Sequence, residues 1–68
     1  MVARVYLKQI KERGRMTIFV ACSADILDGI RYFDGYQYNS VTEEWEEWDM
    51  EEKRINQLIK DGRMVRIQ

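Results

Sequence analysis

Histidine and proline are absent from the 68 residues of this sequence, and cysteine occurs once. Without histidine the chain lacks the most frequent general base near neutral pH, together with the Ser-His and Cys-His nucleophile pairs. A single cysteine closes no intramolecular disulfide and supplies only one of the four ligands of a structural zinc site. We therefore expect a protein that is not an enzyme, with no catalytic residues, no cofactor and no bound metal.

Long apolar runs are also absent. No stretch approaches the roughly 18 apolar residues that a membrane-spanning helix needs, and charges interrupt the N-terminal segment too often for a signal peptide. The hydrophobic content of 46% and the net charge of −1 argue against intrinsic disorder. We expect one domain over residues 1–68, no membrane partner, and a cytoplasmic location, in the host cytoplasm if a phage encodes the chain.

The total of 11 bases and 12 acids conceals an uneven distribution of charge. Residues 1–16 and residues 53–68 each carry five bases against one acid, whereas residues 43–52 carry seven acids and no base. Surface potential follows local charge density, because it decays within about 10 Å at 0.1 M salt. The sequence thus predicts one strongly acidic region and two basic ones.

The clearest secondary-structure signal is a helix near the C-terminus. Asp49 and Glu52 have the spacing of a capping box, and Gly62 stands where a left-handed residue would close the helix. We predict a helix over residues 50–61. Its core-facing positions are Ile55, Leu58 and Ile59.

A longer version of this helix stays open. Ser40 and Glu43 form a second candidate cap, from which the helix would begin near residue 41. Trp45 and Trp48 would then share one face of the helix. Like charges four residues apart oppose this version.

Strands are predicted on both sides of the acidic region. Residues 16–22 are β-branched and aromatic, as in a buried central strand that ends in a buried Cys22. Residues 2–12 fit a strand or a helix, and we favour a strand joined to residues 16–22 through a turn at residues 12–15. A short terminal strand follows Gly62, in which Val65 and Ile67 face the core.

Two Asp-Gly pairs, Asp28-Gly29 and Asp34-Gly35, are turn signals. We predict a β-hairpin that turns at Asp34-Gly35, with residues 24–27 extending a strand or forming one helical turn. Together the elements predict an α+β fold, in which a small antiparallel sheet of four or five strands packs against one C-terminal helix followed by a short terminal strand.

The acidic region, EEWEEWDMEE, is the most unusual stretch. Tryptophan is enriched at binding hot spots, and flanking charge sets encounter rate and partner choice. We therefore hypothesise a small protein-binding inhibitor or modulator that engages a basic surface of a larger protein, such as a nucleic-acid-binding groove. The alternative is that both tryptophans fill the core. The candidate partner-binding residues are Glu43, Glu44, Trp45, Glu46, Glu47, Trp48 and Asp49.

Two other functions stay open. The basic termini would contact phosphates in a nucleic-acid-binding regulator, although lysine and arginine also protect edge strands from pairing. A self-associating homodimer or assembly component is the third hypothesis. The candidate nucleic-acid contacts are Arg4, Lys8, Arg13, Arg15, Arg63 and Arg66.

Overall fold

A computed structural model describes residues 3–10 and 15–68 of the chain. The elements are strands β1 (Arg4–Gln9), β2 (Met16–Leu27), β3 (Ile30–Asn39) and β4 (Glu44–Glu51), helix α1 (Glu52–Lys60) and strand β5 (Met64–Arg66). Every strand pair is antiparallel, and the strand order in the sheet is β4-β3-β2-β1-β5. The predicted α+β fold is confirmed, with five strands in the sheet.

The strand interpretation of the N-terminal segment is also confirmed. Tyr6 of β1 lies opposite Phe19 of β2, and their ring centres are 6.1 Å apart in the buried core. Because successive side chains of a strand point to opposite sides, Leu7 and Ile18 lie on the other side of the sheet. We call the side covered by α1 the helix face and the other the open face. The predicted turn at residues 12–15 lies largely outside the described residues.

Strand β2 continues for 12 residues, so residues 24–27 extend a strand rather than form a helical turn. Its pairing with β3 shifts between Ala21 and Ser23, which places Cys22 in a β-bulge. A bulge interrupts the ladder and re-aims the side chain within it. Cys22 is exposed as a result, and the prediction that it is buried is wrong.

The hairpin turns at Asp28-Gly29, and the prediction that it turns at Asp34-Gly35 is wrong. Asp28 and Gly29 have φ angles of 52° and 77°, as a two-residue type I′ turn requires. Strand β3 passes through Asp34 and Gly35 without turning. A Cβ atom on Gly35 would lie 1.8 Å from the carbonyl oxygen of Val20, so this glycine permits close approach of two strands.

The acidic region forms strand β4, which pairs with β3 along its whole length of eight residues. The longer helix from residue 41 is therefore wrong. The capping box at Asp49 is wrong too, because Glu51 occupies the N-cap position and its side chain makes no capping hydrogen bond. Pairing with β3 disperses the carboxylates over two faces, whereas a helix would bring like charges together at a spacing of four residues.

Helix α1 lies within the predicted residues 50–61 and ends as predicted at Gly62, whose φ is 73°. The backbone N–H of Arg63 donates to the carbonyl of Leu58 at 2.8 Å, as in a Schellman motif. Ile55 and Leu58 are buried against the sheet. Ile59 is 42% exposed, so the prediction that it faces the core is wrong.

Strand β5 is an edge strand that pairs with β1. Met64 lies opposite Lys8 on the helix face and is 3% exposed. Val65 and Ile67 are about half exposed, at 49% and 50%, so the prediction that they face the core is wrong. The pairing register with β1 decides this, because a strand offset by one residue reverses the side of every side chain.

The core fills the space between the helix face and α1, which contacts β3, β4 and β5. Within the described residues, no helix has the length and apolar character needed to span a bilayer. The buried apolar residues are Tyr6, Phe19, Ala21, Phe33, Met50, Ile55, Leu58 and Met64.

Candidate functional site

Six of the seven predicted partner-binding residues lie on β4, at the end of the sheet opposite β5. We call β4 the acidic edge, because five of its eight residues are acidic. Glu43 precedes the strand in a turn, with a φ of 58°. The side-chain oxygen of Asn39 holds this turn by accepting hydrogen bonds from the backbone N–H groups of Val41 (2.9 Å) and Thr42 (3.3 Å).

The side chains of the acidic edge divide between the two faces of the sheet. Its register with β3 is continuous, so alternate residues point to opposite sides along the whole strand. The helix face carries Glu44, Glu46, Trp48 and the buried Met50. The open face carries Trp45, Glu47, Asp49 and Glu51.

Trp45 is 50% exposed on the open face. Its indole meets the ring of Tyr38 edge to face, with the ring centres 5.2 Å apart. Such a pair contributes about 0.5–1.5 kcal/mol beyond the area that it buries. Trp45 also lines a shallow apolar hollow with Val20 and Tyr36. This indole is thus held in place by a neighbour while half of its surface stays accessible.

Trp48 lies on the helix face and is 38% exposed. The Lys8 ammonium lies 5.0 Å from the centre of the indole, and it donates a hydrogen bond to the Gln37 side-chain carbonyl at 2.9 Å. Burial, with a smaller contribution from the nearby Arg54 charge, lowers the pKa of Lys8. Neither tryptophan belongs to the buried core, so the interpretation of both as core residues is wrong.

The carboxylates of the acidic edge have little compensation within the chain. Glu46 accepts a hydrogen bond from the Asn39 amide at 2.8 Å. Among the described residues the one ion pair joins Arg31 and Glu52, at 3.4 Å, and Glu52 belongs to α1. Within residues 3–10 and 15–68, no carboxylate of β4 therefore forms an ion pair with a base.

Two further carboxylates adjoin Asp49 on the open face. Asp34 lies directly opposite Asp49, and Asp25 lies beside them on β2. A side-chain hydrogen bond with Asp25, then desolvation and the charges of Asp25 and Asp49, raise the pKa of Asp34. In the described part of the chain, no group of histidine, cysteine and acidic side chains has the arrangement of a metal site.

Another part of the open face is apolar. Val65, Leu7 and Ile18 stand opposite one another across β5, β1 and β2, and Val20 stands opposite Tyr36 across β2 and β3. Tyr36 and Val65 are 45% and 49% exposed. A molecule bound at the acidic edge would therefore meet apolar surface beside the carboxylates.

Three of the predicted nucleic-acid contacts are neighbours on the helix face, because Arg66 stands opposite Tyr6, which lies between Arg4 and Lys8 on β1. Arg4 and Lys8 lie on the helix face, where the Arg4 guanidinium sits 5.2 Å from the Phe33 ring centre and Lys8 contacts Trp48. Arg66 lies at the opposite end of the sheet from β4, and its Nε donates to the Gln68 carbonyl at 3.0 Å. Arg15 precedes β2, Arg63 precedes β5, and Arg13 lies outside the described residues.

Comparison with known proteins yielded no matching family model, no similar characterised protein and no similar solved structure.

Proposed function

We propose that this chain is a small, non-enzymatic protein-binding module. Its acidic edge binds a basic surface of a larger protein and thereby blocks or modulates that protein. The observation that carries this proposal is the density of uncompensated charge, since β4 places five carboxylates and two part-exposed indoles on one edge strand.

The clustered carboxylates destabilise the free chain, which supports a role in binding. Like charges opposite one another destabilise a strand pair, and Asp34 stands opposite Asp49 between β3 and β4. A basic partner would relieve this repulsion. Rim charge raises the association rate, and a desolvated tryptophan supplies binding energy.

Affinity capture with matched charge variants tests the proposal. The binding variant combines Glu44→Gln, Glu46→Gln and Glu47→Gln, which neutralises three carboxylates of the acidic edge. The control variant combines Asp28→Asn, Glu52→Gln and Asp61→Asn, which removes the same charge outside β4. Asparagine suits residue 28, because it tolerates the positive φ found there.

We expect the parent chain and the control variant to capture the same basic protein, and the binding variant to lose it by tenfold or more. Circular dichroism and thermal unfolding should show that all three chains are folded. Equal capture by the binding variant would contradict the proposal, and so would equal loss with the control variant.

A further inference from the structure

We infer that the partner segment is an extended, basic stretch of chain that adds to the acidic edge as a sixth strand. This inference rests on the proposed function and specifies how the partner is held. Its physical basis is the outer backbone edge of β4, which pairs with no described strand and is a feature separate from the charge of the side chains.

The outer edge of β4 is unpaired within the described residues. Strand β4 terminates the sheet, with β3 on one side and no described strand on the other. Outside the ladder with β3 and the hydrogen bonds of α1, no described backbone hydrogen bond involves residues 44–51. A strand of eight residues spans roughly 26 Å and directs alternate N–H and C=O groups outward. This edge is a template for another strand.

The division of side chains between two faces favours strand addition over docking on one face. A partner lying on the open face would meet Trp45, Glu47 and Asp49 but would miss Glu44, Glu46 and Trp48. A strand added to the edge has side chains on both faces and borders both sets. A single short segment bound in this way adjoins every charged residue of β4.

Charge decides which strand fits. Antiparallel pairing of β4 with a second β4 would bring five carboxylates beside five others, and like charges directly opposite one another destabilise a strand pair. The basic edge strand β5 of a second copy has the opposite charge but only three strand residues, against eight in β4. Nucleic acid is disfavoured, because its phosphates repel carboxylates. A longer basic segment of another protein remains the best match.

The pattern of the acidic edge also indicates the sequence of its partner. Glu47, Asp49 and Glu51 alternate along the open face, so bases at every second position of the added strand would face them. The intervening side chains would lie on the helix face beside Glu44, Glu46 and Trp48. Valine and threonine suit these positions, since they favour extended backbone.

A peptide probe with a blocked backbone tests the inference. The probe is a ten-residue capped peptide in which lysine or arginine alternates with valine or threonine. Two isomers carry N-methyl groups, one on every basic residue and the other on every valine and threonine. The isomers have equal charge and composition, but each loses the N–H groups along a different edge of the strand. Affinity is measured by tryptophan fluorescence, and backbone contacts by amide hydrogen exchange of the ¹⁵N-labelled protein.

We expect one isomer to bind at least tenfold more weakly than the unmodified peptide and the other to bind within about threefold. Alternate amides of β4 should gain protection only with the peptides that bind. Equal binding by both isomers would overturn strand addition while leaving an acidic protein-binding surface intact. Absence of binding by the unmodified peptide would overturn it too, as would dimerisation of the protein that excludes the peptide. The affinity-capture experiment with the charge variants tests the proposed function separately.

Discussion

The Lys8 ammonium lies 5.0 Å from the centre of the Trp48 indole, although β1 and β4 are separated by two strands. Trp48 stands opposite Gly35, which has no side chain to intervene on the helix face. Lys8 approaches the indole from β1, and its hydrogen bond to the Gln37 side chain holds the ammonium in place. This contact fixes Trp48 over the sheet and leaves Trp45, on the opposite face, as the more exposed indole.

A double-mutant cycle should measure this contact. We expect Lys8→Met and Trp48→Leu to show a coupling energy of about 0.5–1 kcal/mol, the range of a part-exposed cation–π interaction. Methionine retains the apolar stem of Lys8, so the cycle reports mainly the charge. Urea unfolding of the four chains provides the free energies. Additive effects within about 0.3 kcal/mol would show that the two groups do not interact.

Replacement of Gly35 by alanine should severely destabilise the fold. The new Cβ would lie 1.8 Å from the Val20 carbonyl oxygen, so β2 and β3 must separate beside the bulge. We expect a loss of about 3 kcal/mol or more, at the upper end of the cost of overpacking. A chain of this size has little stability in reserve, so Gly35→Ala should be largely unfolded by circular dichroism.

Gly62→Ala is the matched control. Its Cβ would meet no atom within 4 Å, and only the positive φ of 73° opposes it. The expected cost is about 1–2 kcal/mol, that of a left-handed non-glycine residue. Equal destabilisation by the two alanines would argue against close packing at Gly35.

Asp34→Asn should stabilise the protein at neutral pH. Because the pKa of Asp34 is raised in the folded state, the folded chain holds this proton more tightly than the unfolded chain does. Asp34 therefore contributes most to the free energy of unfolding at pH values below the usual aspartate pKa. This contribution declines as the pH rises through the raised pKa. Asparagine removes the titrating group, so the difference between variant and parent should grow with pH.

Urea unfolding at a series of pH values from about 3 to 7 measures this difference, on either side of the ordinary aspartate pKa. Asp25→Asn should reproduce part of the effect, since Asp25 is the largest cause of the shift. The two changes together should give less than the sum of their separate effects. A constant difference between parent and Asp34→Asn across the pH range would contradict this account.

Alanine substitution of two isoleucines should show which face of α1 is buried. Ile55 is 2% exposed, and Ile55→Ala should cost about 2–5 kcal/mol. Ile59 is 42% exposed, and Ile59→Ala should cost no more than about 1 kcal/mol. Thermal unfolding of both variants checks the contrast. Similar losses would mean that α1 packs with Ile59 toward the sheet.

Much of the fold could be predicted from local patterns. The alternation in β1, the β-branched run in β2 and the glycine that ends α1 each depend on a few neighbouring residues. The start of α1 could not be predicted in the same way. A cap contributes only about 1 kcal/mol, and eight residues of pairing with β3 outweigh it in the acidic region.

The density of acidic residues and tryptophans in the sequence indicated the candidate site, but its geometry was not predicted. Trp45 and Trp48 are three residues apart, a spacing that places two side chains on one face of a helix and on opposite faces of a strand. The two Asp-Gly pairs are equally good turn signals in isolation. Long-range pairing of β2 with β3 selects Asp28-Gly29, and Gly35 is needed where those strands approach closely.

The sequence by itself determined the α+β class and the strongly acidic region, because composition and short-range patterning suffice for these properties. Tertiary structure decided that the acidic region is an edge strand, and that its carboxylates and indoles divide between two faces. Strand register depends on partners far away in the chain, and a shift of one residue reverses the face of every side chain. The nearly neutral chain therefore carries its acidic region on an edge strand, beyond which the described residues place no further strand.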